Sequence, residues 1–181
     1  MWLYTEQYGI RHITYDGESF KCRDYTAADK SMPENSITYM SEDGQGNVWA
    51  ITQHTINYID TAGNTRITQG GIKTLDLRAR GHDIVVLDKT NKAWIYSSNG
   101  RLRMTSQLPI ALGRVDKVTT SVIWKGKYYV FTTADTYACD ITTGRWEHAA
   151  IQVPGALDQG KADGYQFIAN TTDGTLWLLP D

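Results

Sequence analysis

The chain has 181 residues, of which 41% are apolar and 21% charged, with a formal net charge of -2. That length supports a domain with a sizeable core. The near-neutral balance, with no run of like charges, argues against a nucleic-acid surface. The longest apolar stretches, Ile84 to Leu87 and Tyr128 to Phe131, fall far short of the roughly 18 residues of a membrane helix. Met1 to Glu6 lacks a charged n-region followed by an apolar h-region, so no signal peptide is visible.

In chain order, the first strand-sized element is Trp2-Leu3-Tyr4-Thr5: aromatic, aliphatic, bulky apolar, small hydroxyl. The pattern returns at Trp49-Ala50-Ile51-Thr52 and Trp94-Ile95-Tyr96-Ser97, then at Tyr129-Val130-Phe131-Thr132 with Tyr in place of Trp, and begins again at Trp177-Leu178-Leu179. The steps are 47, 45, 35 and 48 residues. Periods of about 40 to 50 residues mark propeller blades. The repeats run approximately over 2–48, 49–93, 94–128 and 129–176, with 177–181 starting a fifth.

The second repeat shows how a blade is made. Ser36 to Ser41 is a strand, Asp43-Gly44-Gln45-Gly46-Asn47 carries turn chemistry, and Val48 to Thr52 is the second strand. Gln53-His54-Thr55 turns into Ile56 to Ile59, and Thr61-Ala62-Gly63-Asn64 turns into Thr65 to Thr68. The same order is expected later. Asp83 to Leu87 and Ala93 to Ser97 flank a turn at Asp88 to Lys92; Ser121 to Trp124 and Tyr128 to Thr132 flank Lys125 to Lys127; Tyr165 to Ala169 and Thr175 to Leu179 close the chain. No window carries a helical stripe. The expected fold is all-β: about four four-stranded antiparallel blades, part of a larger propeller. The repeated aromatic is read as the packing anchor between blades.

Trp2 and Trp177 fill the same strand slot, which a closed ring needs once. A fragment of a larger ring or a strand-exchanging oligomer is therefore expected over a self-sufficient four-bladed monomer.

The run Ile37 to Thr52, with Glu42-Asp43, Gly46-Asn47 and Trp49, resembles the repeat of two-component regulator propellers, whose pattern is roughly I-x-x-I-x-E-D-x-x-G-N-L-W-I-G-T followed by a strand ending in Tyr-Asp. Ile56 to Asp60 and Tyr8 to Asp16 continue it. The third repeat lacks the Gly and the fourth lacks the acidic residue. The resemblance implies a periplasmic sensor domain of a hybrid histidine kinase that detects oligosaccharides. No kinase lies in this chain.

Sites follow from topology. In a four-stranded blade, the turns between strands two and three and the connectors between blades share one end. The former are read as Glu6 to Gly9 (with Tyr8), Gln53-His54-Thr55, Ser98-Asn99-Gly100 and Thr133 to Asp135; the latter lie near 26–35, 69–81, 105–117 and 149–164. Long loops on a rigid scaffold are the usual place for binding, so Tyr8, Gln53, His54, Asn99 and Asp135 are candidate ligand contacts. Trp124 and Trp146 fall outside the repeating slot and join them as candidates for sugar stacking. His12 is read as a packing residue within a strand. The four His show no metal-ligand spacing, and Cys22 and Cys139 form no CxxC pair. No nucleophile–base motif or selected carboxylate pair occurs, so no catalytic residue, metal or cofactor is expected. A protein-interaction scaffold is the alternative, since one fold serves many functions.

Overall fold

The computed structural model describes residues 1–110, 117–133 and 135–149, with the backbone of two further strands over 165–170 and 176–180. Every regular element among them is a strand. The first sheet has three: β1 (Trp2–Thr5), β2 (Gly9–Tyr15) and β3 (Phe20–Tyr25). The second has four: β4 (Ile37–Glu42), β5 (Val48–Thr52), β6 (Thr55–Ile59) and β7 (Thr65–Gly70). The third is β8 (Thr74–Arg80), β9 (Asp83–Asp88), β10 (Lys92–Ser97) and β11 (Leu102–Gln107). The fourth is β12 (Val118–Trp124), β13 (Lys127–Thr132), β14 (Thr136–Asp140) and β15 (Trp146–His148), and β16 (Tyr165–Asn170) pairs with β17 (Leu176–Pro180). Each sheet is an antiparallel meander in chain order. The opening strands β4, β8, β12 and β16 stand side by side, the arrangement of propeller blades around an axis.

Side chains cap the hairpins in a repeating way. Thr at the end of the second strand accepts amides of the following turn. Thr5 Oγ1 takes Tyr8 N (2.8 Å), Thr52 Oγ1 takes Thr55 N (3.1 Å), and Thr132 Oγ1 takes Asp135 N (2.9 Å). An Asp after the third strand does the same for the next turn: Asp16 Oδ1 takes Ser19 N, Asp60 Oδ1 takes Asn64 N, and Asp140 Oδ1 takes Thr143 N. These short polar side chains favour turns because they reach their own backbone. By both marks β1 is a second strand, so the first sheet presents strands two, three and four.

The third sheet corrects the expected strand phase. Residues 74–80, read as connector, form its first strand, and Asp83–Asp88 is its second. Trp94 therefore lies on the third strand and not in the slot of Trp49. The consequence is visible in the packing. Trp49 points into the core between sheets two and three, where Tyr96 meets it at 5.2 Å between ring centroids. Tyr96 and, two residues earlier, Trp94 face back into that same core. The repeated aromatic is not one anchor reused.

Three apolar layers hold the sheets together. Ile10, Tyr25, Ile37, Val48, Ala50 and Ile59 fill the first, Trp49, Ile51, Ile56, Leu77, Ile84 and Val86 the second, and Val85, Leu87, Ile95, Ile123, Val130 and Tyr137 the third. Every connector within the described residues inserts an apolar plug into its layer: Met32, Ile72 and Leu108. Polar stitches join the opening strands. Tyr39 Oη donates to Leu75 O (2.8 Å), and Arg78 Nε donates to Ser121 O (2.8 Å). Beneath the second stitch the Asp76 carboxylate accepts from Ser121 Oγ and pairs with Arg78 at 3.1 Å, which offsets part of the cost of burying it. Cys139 is buried, Cys22 is exposed, and neither is bridged.

Candidate functional site

The hairpins and connectors of the described residues gather at two ends. The connector end gathers the turns between strands two and three and the links between sheets. Gly9 N donates to Asn35 O (3.0 Å), Ile72 N to His54 O (3.3 Å), Lys89 N to Lys73 O (2.8 Å), Leu108 N to Asn91 O (2.9 Å), and Thr133 N to Lys117 O (3.0 Å). The turn end gathers the other hairpins, where Gly44 N donates to Gly81 O at 2.7 Å.

Tyr8, Gln53, His54 and Asp135 lie at the connector end. Tyr8 is exposed at the tip of the β1–β2 turn. His54 Nδ1 stands 3.0 Å from Glu34 Oε1 in the connector, and Gln53 beside it is exposed. Asp135 Oδ1 is 3.9 Å from His148 Nδ1. Asn99 does not join them. The misphased third sheet puts its turn between strands three and four, at the turn end, where Asn99 O accepts from Arg66 (2.6 Å) and Ser98 O accepts from Asn47 Nδ2 (3.1 Å). The connector-end turn of that sheet is Lys89-Thr90-Asn91. Trp124 also falls at the turn end, on an opening strand, with Lys125 Nζ 4.5 Å from its ring centroid. Trp146 packs inward from the outermost strand, edge-on to Tyr128 at 6.2 Å. Its indole nitrogen is buried, while the residue as a whole is half-buried. Among the described residues no group of three or more His, Cys, Asp or Glu is placed to hold a metal ion, and no helix is long and apolar enough to cross a membrane.

Sequence reasoning missed a cleft of about 630 Å³ at the turn end, between sheets one and two. Trp2 and His12, opposite one another across β1 and β2, stack with centroids 3.8 Å apart and planes within 4°. Tyr25 and Met40 continue the apolar wall, and Glu42 and Asp60 stand on the rim. Burial, helped by the N-terminal ammonium, lowers the His12 pKa, which favours the uncharged imidazole in the stack. The signal was present in Trp2 and His12, but only pairing of β1 with β2 brings them together.

Antiparallel meanders with their opening strands side by side define a propeller-type fold. Residues 31–54, from the first connector through β4 and β5 to His54, match the two component regulator propeller family. Comparison with curated protein sequences finds no match. Among solved structures, the chain is similar to the extracellular domain assigned to a hybrid two component system from B. thetaiotaomicron, with TM-score 0.69 and 12% identity over 99% of this chain and 25% of that one. A second such domain from the same organism gives TM-score 0.59 and 16% identity, over 99% and 24%. AztD from Citrobacter koseri gives 0.64 and 17%, over 90% and 45%. The chain thus spans a quarter to under half of the proteins it resembles.

Proposed function

We propose that this chain is a non-catalytic, ligand-sensing propeller segment of a hybrid two-component system, acting outside the cytoplasm in the periplasm and reading oligosaccharide signals. The observation that carries the reading is the match over residues 31–54, supported by the likeness to two extracellular domains of such systems. The connector end is the binding face in this reading, with Tyr8, Gln53, His54 and Asp135 on it.

A thermal-shift screen against plant and host oligosaccharides tests it. A ligand at 100 times its dissociation constant stabilises the fold by about 2.7 kcal/mol, and a shift confined to one glycan class is the expected result. A flat response across the panel, with a partner protein giving the shift instead, would favour the scaffold reading. One observation speaks for that second reading: the first sheet turns Tyr15 and Phe20, 61% and 75% exposed, away from its neighbour. The remainder of a larger ring, or a second copy, would seat there.

A further inference from the structure

We infer that the cleft between sheets one and two binds one ring of a neutral saccharide, a subsite separate from the connector end; this rests on the oligosaccharide reading above. Shape comes first. A volume of about 630 Å³ lies within the roughly 300–1,000 Å³ of small-molecule sites. The walls then select the chemistry. A pyranose ring has an apolar C–H face and a rim of hydroxyls, and the cleft offers both complements. Trp2, Tyr25 and Met40 supply the apolar side, and the exposed Glu42 carboxylate offers an acceptor for hydroxyl donors, beside an Asp60 carboxylate that already accepts from Asn64.

Charge narrows the class further. An anionic ligand would face Glu42 and Asp60. The one guanidinium at the cleft, that of Arg23, is already committed: Nη1 donates to Ala62 O (3.3 Å), Nη2 donates to Gly63 O (2.9 Å), and its carbon lies 5.0 Å from the Tyr25 ring centroid. A cationic ligand would meet that guanidinium. A neutral, hydroxyl-rich ring meets neither penalty. The Trp2–His12 stack gives it a rigid platform, because two rings in van der Waals contact and braced by adjacent strands lose little freedom on binding.

Isothermal titration of the full chain with neutral gluco-, xylo-, arabino- and galacto-oligosaccharides tests the assignment. For the class that binds, Trp2→Ala and Glu42→Gln should each weaken affinity at least tenfold. Trp2→Phe should restore most of it, and Arg145→Ala, on the fourth sheet, should leave it unchanged. Glu42 is exposed on the rim, so its variant folds even if the Trp2 truncation does not. Binding that survives both cleft variants but is lost in Tyr8→Ala or His54→Ala would overturn the cleft and leave the sensor reading standing. No binding by any neutral oligosaccharide would overturn the cleft assignment, and the sensor reading would fall only if charged oligosaccharides also failed to bind.

Discussion

Two hairpins of this chain are built from the same parts and used in different places. In each, an Asp opens a three-residue loop and a Trp follows six residues later. Asp43 Oδ1 takes the amides of Gln45 and Asn47, and Asp43 Oδ2 takes the Trp49 indole N–H at 3.1 Å. Asp88 Oδ1 takes the amides of Thr90 and Lys92, and Asp88 Oδ2 takes the Trp94 indole N–H at 2.8 Å. Both loops end on a left-handed residue, Gly46 at φ 80 and Asn91 at φ 62, conformations that Gly and Asn tolerate. Yet the first hairpin joins strands one and two at the turn end, and the second joins strands two and three at the connector end. The local hydrogen bonds specify a hairpin. Its rank within the sheet is set by what flanks it.

Burial is where the two diverge most, and it gives the largest expected effect. Trp49 is fully buried, edge-on to Tyr58 and tilted against Tyr96, each at 5.2 Å. Trp94 is half-buried, with Lys92 Nζ 5.6 Å from its ring centroid. Trp49→Ala should cost about 3–5 kcal/mol, the range for emptying a packed aromatic site. Trp94→Ala should cost about 1–2 kcal/mol, because much of its surface already meets water. Urea midpoints at constant slope read both losses. Equal losses would mean that the two tryptophans share one role after all.

The carboxylates come next. Asp43→Ala strands the buried Asn47 amide and Trp49 indole donors together with the Gln45 amide, and about 2–3 kcal/mol should be lost. Asp88→Ala should lose less, since Lys92 and Trp94, whose donors it frees, are half-buried where Asn47 and Trp49 are buried. If the alanine variants lose equal stability, burial of the loop is not what separates these hairpins.

The same comparison explains what was legible. The strands of the second sheet could be read from turn chemistry and alternation nearly to the residue, because Gly46, Asn47 and Gly63 punctuate it. The third sheet misled because its Asp-to-Trp spacing copies that of the second. A corrective signal did exist. Leu75, Leu77 and Ala79 alternate with Asp76, Arg78 and Arg80 ahead of a Gly81-His82 turn, which is strand patterning. Its charges disguised it, since opening strands exchange polar stitches such as Arg78 to Ser121. Asn99 was misplaced as a direct result. The Trp2–His12 cleft was out of reach for a different reason. A cross-strand stack depends on register, and register is fixed by tertiary packing as well as by the turn.

The threonine caps extend the comparison to the connector end. Thr52→Val and Thr132→Val keep shape and delete a hydroxyl that serves the next turn, and each should cost about 1 kcal/mol. Ser97, which holds an exposed turn at the opposite end, should lose less on change to Ala. A larger loss at Ser97 would show that the turn end carries the more costly caps.

The smallest effect distinguishes two buried aspartates by the sign of their pH dependence. Burial works to raise the Asp88 pKa, but the Thr90 hydroxyl, the Trp94 indole and the amides of Lys92 and Thr90 outweigh it, leaving the pKa below the ordinary 3.8. Its contribution to stability is therefore present above pH 3.8 and lost as pH falls through the folded value. For Asp76 burial prevails over Arg78, the Ser121 hydroxyl and the Leu77 amide, and the pKa is raised above 3.8. The folded chain then holds the extra proton, so stability is lost as pH rises from 3.8 through that raised value. Melting temperatures of the parent chain, Asp88→Asn and Asp76→Asn should be compared from pH 2.5 to 7. The parent's advantage over Asp88→Asn should shrink toward the acid limit. Its margin over Asp76→Asn should move the other way, being greatest at low pH. Parallel curves would mean that Arg78 and Ser121 compensate Asp76 as fully as the hairpin compensates Asp88, and the opening strands would then carry no unpaid cost of burial.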